Sequence, residues 1–277
     1  MSDNNNDTVF VFITDQNYFH KAIVSINDLR TVGNWTKEKD VVLITIDFDL
    51  DEKYKLKYNI SEVKFPLIDK THLLEKIGPD GFSNSDKREI QKLNQWEKLH
   101  VFDDYFLKWK RVVFLDAGLR VLDDVKYVLQ LDYNNSILAP NDGSPNFHSN
   151  QIFKYQLSFD RPELIELVKR DFGEDIFSSY HMLNCMWVYD TSILKICGKQ
   201  QLIDAMNKYT LCKTNEMGIM NLMFHFKYHL WREFPLKTNN GKYLFEWCET
   251  NHSFHTTWRD YCFIKYPITI GLHETIC

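Results

Sequence analysis

Short unbroken apolar runs alternate with stretches in which apolar residues recur every three or four positions. The first run, Thr8–Thr14 (TVFVFIT), has no polar side, which predicts a strand at the centre of a parallel sheet covered on both faces. Residues 18–32 then place Phe19, Ala22, Ile23, Ile26 and Leu29 at helical spacing, and Gly33 is the stop signal. Residues 40–46 (DVVLITI) predict a second buried strand and residues 63–67 a third. Residues 94–104 read as a helix with Trp96, Leu99, Val101 and Phe102 on or near one side, followed by a strand at Arg111–Leu115. Another strand is expected at 135–140 (NSILAP), and a helix at 162–170 with proline in its first turn. Residues 186–189 read as a strand, 192–196 as the start of a helix, and 216–226 as a Met-rich helix packed into the core. The first seven residues are polar and expected to fray, and residues 251–277 carry three histidines with no clear period.

Strands alternating with helices over two thirds of the chain predict an α/β sandwich with a mainly parallel sheet. No repeat, low-complexity linker or composition break divides the 277 residues, so one domain is expected. Neither GxGxxG nor GxxxxGK[ST] is present, which removes the main warrant for a Rossmann dehydrogenase or a P-loop phosphotransferase. GxSxG and HExxH are absent as well.

Composition narrows the class further. The chain is 44% apolar and 15% aromatic, enough for a real core, and its formal charge of -5 argues against a nucleic-acid partner. The six cysteines form no CxxC pair, so a zinc knuckle is not expected. No apolar run approaches the roughly 20 residues of a membrane helix, and no export signal is visible. A reduced cytoplasmic enzyme with buried free thiols is the expectation.

In open α/β sheets, ligands gather at the carboxyl ends of the strands. Two such ends carry chemistry here. Thr14, Asp15 and Asn17 can hydrogen-bond a base or ribose and Tyr18 offers a ring for stacking; equally, Asp15 or Asn17 can serve as a helix N-cap beside a packing tyrosine. Asp116 closes the fourth strand and is followed by Ala117 and Gly118. It either starts a turn or faces a phosphate-bearing substrate through Mg²⁺ or Mn²⁺, which suit oxygen ligands.

Taken in order, FITDQNYFHKAIVSINDLR, DVVLITID, EKLHVFDDYFLKWKRVVFLDAGLRVLDDV, ILAPND, NEMGIMNLMF and FPLKTN resemble the glycogenin-like family of sugar-nucleotide-dependent glycosyltransferases, over about residues 9–239. The resemblance implies a GT-A (Rossmann-like) α/β/α sandwich with a mainly parallel central sheet. A nucleotide-binding half at about 8–140 and an acceptor half at about 141–277 would make up a single domain. It assigns nucleotide binding to Thr14, Asp15, Asn17 and Tyr18, with the Tyr18 ring against uracil, and places Lys98 near the diphosphate. The DxD motif of the family falls on Asp116-Ala117-Gly118, so Asp116 is kept and Gly118 stands where the second ligating carboxylate belongs. The family's late acidic residue near the reacting sugar aligns with Glu216, its glutamine with Met217, and the asparagine of its G-x-x-N with Asn221. The C-terminal metal-binding histidine maps onto His273, with His255 as the alternative.

The implied activity is transfer of a hexose from a UDP-sugar to a hydroxyl of a glycan, protein or small molecule, with retention. Asp116 and Glu216 are the catalytic carboxylates. Because Gly118 has no ligating atom, Mn²⁺ or Mg²⁺ is expected to bind weakly or to be dispensable, with Lys98, Arg111 or Arg120 as replacement cations. The family also implies a homodimer. Two other readings stay open: a catalytically silent GT-A domain that binds sugar nucleotide or a partner, favoured by Gly118 and Met217, and another α/β nucleotide-binding transferase.

Overall fold

The computed structural model describes residues 7–77, 92–142, 152–157, 161–210, 216–238, 241–247 and 261–265. Its elements in chain order are β1 (Thr8–Thr14), α1 (Phe19–Thr31), β2 (Val41–Thr45), α2 (Glu52–Tyr58), β3 (Ser61–Val63), α3 (Thr71–Ile77), α4 (Lys92–Gln95), β4 (Arg111–Leu115), β5 (Leu119–Val121), α5 (Lys126–Leu129) and β6 (Ile137–Ala139). They continue with α6 (Pro162–Phe172), β7 (Met186–Asp190), α7 (Lys199–Lys208), α8 (Glu216–Met220), β8 (Trp231–Glu233), β9 (Tyr243–Trp247) and β10 (Tyr261–Lys265). Seven strands form one sheet in the order β3-β2-β1-β4-β7-β6-β8, and β5-β10-β9 form a second, smaller sheet.

The main sheet is mostly parallel: β1 pairs in parallel with β2 and β4, β2 with β3, and β6 with β8. β7 is the exception, running antiparallel to both β4 and β6. Successive side chains of a strand point to opposite faces, and β1 divides accordingly. Val9, Val11 and Ile13 join a core with residues 96–106, α6, α7 and residues 219–224, whereas Phe10 and Phe12 join one with α1 and the small sheet. Both faces are covered, which is why these strands read as unbroken apolar runs. Phe114 and Trp187 stack across β4 and β7 with centroids 3.9 Å apart. Burying one such side chain contributes about 1.5–3 kcal/mol.

Several boundaries depart from the sequence reading. The third strand is Ser61–Val63, earlier than 63–67. The expected helix at 94–104 is only one turn of α-helix, α4, followed by 3₁₀ segments at Trp96–Phe102 and Asp104–Lys108. With three residues per turn, residues i and i+3 eclipse. Trp96, Leu99 and Phe102 therefore share the core side, and Glu97 and His100 share another, where His100 Nε2 lies 2.9 Å from Glu97 Oε2. Lys98 is left facing a third direction. Lys70 and the Ile68 N–H also bind the Glu97 carboxylate, which fixes the segment's rotation. The expected helix at 192–196 is likewise a 3₁₀ turn, Thr191–Lys195.

The Met-rich helix starts as α8 and loosens into a π-helix at Asn221–Lys227. Within it His225 packs against Trp231 and Phe226, and its imidazolium is disfavoured by burial, then by His229 and His181, which lower its pKa to about 4. The folded value lies below the ordinary one, so this contribution to stability is complete above pH of about 6.5 and is lost as pH falls toward about 4. Between those values stability is expected to fall by no more than about 1.4 kcal/mol per pH unit on this account. Thermal unfolding followed from pH 7 to pH 5 should show the decline, and His225→Phe should flatten it. An unchanged slope in the variant would assign the decline to other groups.

Candidate active site

The carboxyl ends of β1, β2 and β4 open on one edge of the main sheet. Because β7 runs the other way, the residues just before it reach that same edge. Asp116 follows β4, and its backbone N–H donates to Cys185 O, one residue before β7, at 2.9 Å. Asp116 is half-buried at the edge rather than packed inside. Lys98, from the 3₁₀ segment, reaches the same point: its Nζ is 3.4 Å from Asp116 Oδ1 and 3.2 Å from Glu216 Oε1. Asn184 Nδ2 donates to that Glu216 oxygen at 2.5 Å. Residues far apart in sequence thus meet around one ammonium.

Glu216 is 1% exposed, and its second oxygen, Oε2, has no hydrogen-bond partner among the described residues. A buried acceptor without a donor is costly, so this oxygen is suited to a hydroxyl brought by a ligand. Burial raises the Glu216 carboxyl above its usual range, and Asp116 adds to that, while Lys98 opposes it. For Lys98, burial by itself would lower the ammonium, but the Asp116 and Glu216 charges outweigh it and hold Lys98 well above its ordinary value. Lys98 is therefore a fixed positive charge at neutral pH.

Asn221 ties the parts together. Fully buried, its Oδ1 accepts from Met182 N at 2.7 Å while its Nδ2 donates to Met182 O at 3.0 Å and to Met217 O at 2.9 Å. One side chain thus clamps the segment leading to Asn184 onto the helix that carries Glu216. Met217 is itself buried in the core.

The residues expected to bind nucleotide sit in the loop after β1. Thr14 Oγ1 donates to Asp15 O at 2.9 Å. Asp15 Oδ1 accepts from Tyr18 N at 3.0 Å, and Oδ2 accepts from Asn94 Nδ2 at 3.1 Å. Asp15 thus holds the loop in shape at the start of α1, and both Thr14 and Asp15 are buried. Asn17 is exposed and Tyr18 half-buried at the same edge. Ala117 is half-buried and Gly118 buried, with φ +85° at Gly118.

Arg111 and Arg120 do not approach the cluster. Arg111 lies on the Tyr133 ring, 3.8 Å from its centroid, and Arg120 forks onto Asp28, with Nη2 to Oδ1 at 3.0 Å. Asp123 pairs with Lys242 at 2.6 Å and Asp124 with Lys126 at 3.2 Å, so neither turns back to Asp116. Trp187 is sealed in the core. His252, His255 and His273 lie outside the described residues.

The fit of the site to a divalent cation is poor among the described residues. Among the described residues no three His, Cys, Asp or Glu side chains gather as a metal site. Of the two carboxylates expected in the motif, Gly118 supplies none and Asp116 faces an ammonium.

No protein-family profile matches the chain, and no curated protein sequence matches it. Solved structures do. The galactosyltransferase LgtC, in complex with donor and acceptor sugar analogs, superposes at a TM-score of 0.58 with 13% identity, over 93% of this chain and 86% of LgtC. The chain has the GT-A glycosyltransferase fold. The apo form of the bifunctional glycosyltransferase WbbM gives the same TM-score, 0.58, at 14% identity over 96% of this chain and 46% of WbbM. GlyE of Streptococcus pneumoniae TIGR4 gives 0.50 at 13% identity, over 85% of this chain and 47% of GlyE. The GT-A chain described here thus spans about half the length of WbbM and of GlyE. Among its described residues no helix is long and apolar enough to cross a membrane.

Asn184 was not singled out from sequence. The strand after it was expected, but the apolar pattern of a strand does not give its direction. Only an antiparallel β7 brings the residues before the strand, rather than those after it, to the edge where β1 and β4 end.

Proposed function

We propose that this GT-A chain is a glycosyltransferase that moves a hexose from a UDP-sugar to a hydroxyl acceptor with retention of configuration. The observation that carries this reading is the buried Lys98 ammonium held between Asp116 and Glu216 at the carboxyl edge of the sheet. Breaking the bond between a sugar and a nucleoside diphosphate builds negative charge on the leaving group and positive charge on the sugar. In this reading Lys98, steadied by Asp116, faces the departing diphosphate. Glu216 lies beside the anomeric carbon, where its unpartnered Oε2 accepts from a sugar hydroxyl and its charge offsets the oxocarbenium character of the transition state. Asn184 fixes the carboxylate's orientation through Oε1, and Asn221 fixes the distance between the two elements.

Tyr18 stacks on uracil, with Asn17, Asp15 and Thr14 lining the base and ribose and Ala117-Gly118 passing beneath the phosphates. Residues at about 8–140 carry the donor and those at about 141–277 the acceptor, within one domain. The acceptor is a glycan, a protein or a small molecule, and two chains associate as a dimer.

UDP release from UDP-glucose, UDP-galactose and UDP-N-acetylglucosamine tests the proposal. Turnover of one of them is expected, and Asp116→Asn should lower it by about 10²-fold, because the neutral amide no longer steadies the Lys98 charge. A second reading, a silent GT-A domain, is favoured by Gly118 and by Met217 in place of the family's glutamine. Binding of a UDP-sugar without release of UDP, with or without Mn²⁺, would decide for it.

A further inference from the structure

We propose that Lys21 is a second phosphate-binding cation, and that Lys21 and Lys98 together take the place of a divalent ion at Gly118. The inference rests on the nucleotide-sugar reading above and goes beyond it.

Helix α1 presents Lys21, Ser25 and Asp28 on one face, at the i, i+4, i+7 spacing that stacks side chains along a helix. Each meets a successive residue of the loop and strand after Asp116. Asp28 receives the Arg120 fork, and Ser25 Oγ donates to Leu119 O at 2.6 Å. Lys21 comes next in this series and lies over Gly118: a Cβ built at Gly118 would stand 3.5 Å from Lys21 Cδ and 3.9 Å from its Cβ. Two buried contacts therefore dock the helix that aims Lys21, so its place is not that of a surface lysine free to wander.

The lysine stem fills the space above the position where a second acid would sit. The Gly118 backbone, at φ +85°, is one that an L-residue adopts only under strain. Gly118 thus does two things: it drops a carboxylate and lets an ammonium-bearing chain cross the loop. Lys21 Nζ is 5.2 Å from the centroid of the Tyr18 ring. A nucleotide with its base at Tyr18 and its diphosphate at Asp116-Gly118 has to pass this ammonium.

Charge balance points the same way. Among the described residues, Lys98 is one ammonium against the two carboxylates it pairs with, which does not favour an incoming diphosphate. Adding Lys21 makes the balance even, as a divalent cation held by two carboxylates would be. Lysine binds phosphate as a compact point charge, without the coordination geometry a metal requires.

Isothermal titration calorimetry of the whole chain with UDP and GDP, and ligand-observed NMR with uridine, test this in EDTA and in Mn²⁺. Wild type is expected to bind UDP in EDTA, with Mn²⁺ changing the affinity less than about threefold. Lys21→Ala should weaken UDP by about tenfold or more, as expected for a lost charged hydrogen bond, and leave uridine unchanged, and Lys21→Arg should recover most of the loss. Equal losses for UDP and uridine, no loss for either, or UDP binding that appears only with Mn²⁺ would each overturn the inference while leaving the nucleotide-sugar reading standing. If wild type binds neither UDP nor GDP under any of these conditions, the reading falls and the Lys21 assignment with it.

Discussion

Replacing Lys98 with methionine is expected to cost about 3–5 kcal/mol of folding stability, a drop in Tm of roughly 10 °C for a chain of this size. The residue is 8% exposed and its side chain is the cation between Asp116 and Glu216. Methionine has nearly the same length and fills the same space, so packing is little changed. What is lost is the compensation of the Glu216 carboxylate, which is 1% exposed and keeps the Asn184 amide as a hydrogen-bond donor among the described side chains. An uncompensated buried charge is among the few defects that destabilise on this scale. The double variant Lys98→Met/Glu216→Met removes that charge as well and should regain much of the loss, a non-additivity that a double-mutant cycle measures directly. If the single variant melts within about 2 °C of wild type, the ion cluster is not what it is described to be here.

Glu216→Gln is the complementary case, with a large effect on turnover and a small one on stability. The amide keeps the shape, and Lys98 keeps Asp116 as its partner. Burial already disfavours the charged form of Glu216, so removing the charge should leave Tm level or slightly raised. On the proposed function, turnover of the UDP-sugar should nevertheless fall by about 10²–10³-fold in kcat, with KM for the donor nearly unchanged, because in that reading the lost interaction is with charge that develops only in the transition state. UDP-release kinetics and thermal melts on the same preparation separate the two effects. A variant that keeps kcat within about threefold of wild type would remove Glu216 from the reacting centre.

The residues of the site are not equally legible in the sequence. Asp116 stands out in one dimension, as a lone acid ending an apolar strand, because a sheet buried on both faces leaves its polar chemistry to the strand ends. Glu216 and Lys98 look like ordinary helix residues in sequence and gained meaning only through the order of the surrounding blocks. Asn184 and Lys21 gave no such signal. Asn184 depends on the direction of β7, and Lys21 on the docking of α1 across β5 through Asp28 and Ser25. The helix expected at 94–104 failed for a related reason. Apolar residues at 96, 99 and 102 fit both a 3.6- and a 3.0-residue turn, and the Glu97 contacts to Lys70, Ile68 and His100, which fix the tighter winding, come partly from elsewhere in the chain.

The sequence by itself determined the α/β class, the covered parallel strands and the strand ends at which polar side chains collect. Each follows from local apolar patterning, which records burial along the chain. Tertiary structure alone decided that β7 runs backwards, that one ammonium is shared by Asp116 and Glu216, and that a lysine lies over Gly118. These are relations between segments about twenty to about one hundred and twenty residues apart in sequence, set by the docking of rigid elements, and no local pattern of polar and apolar residues encodes them.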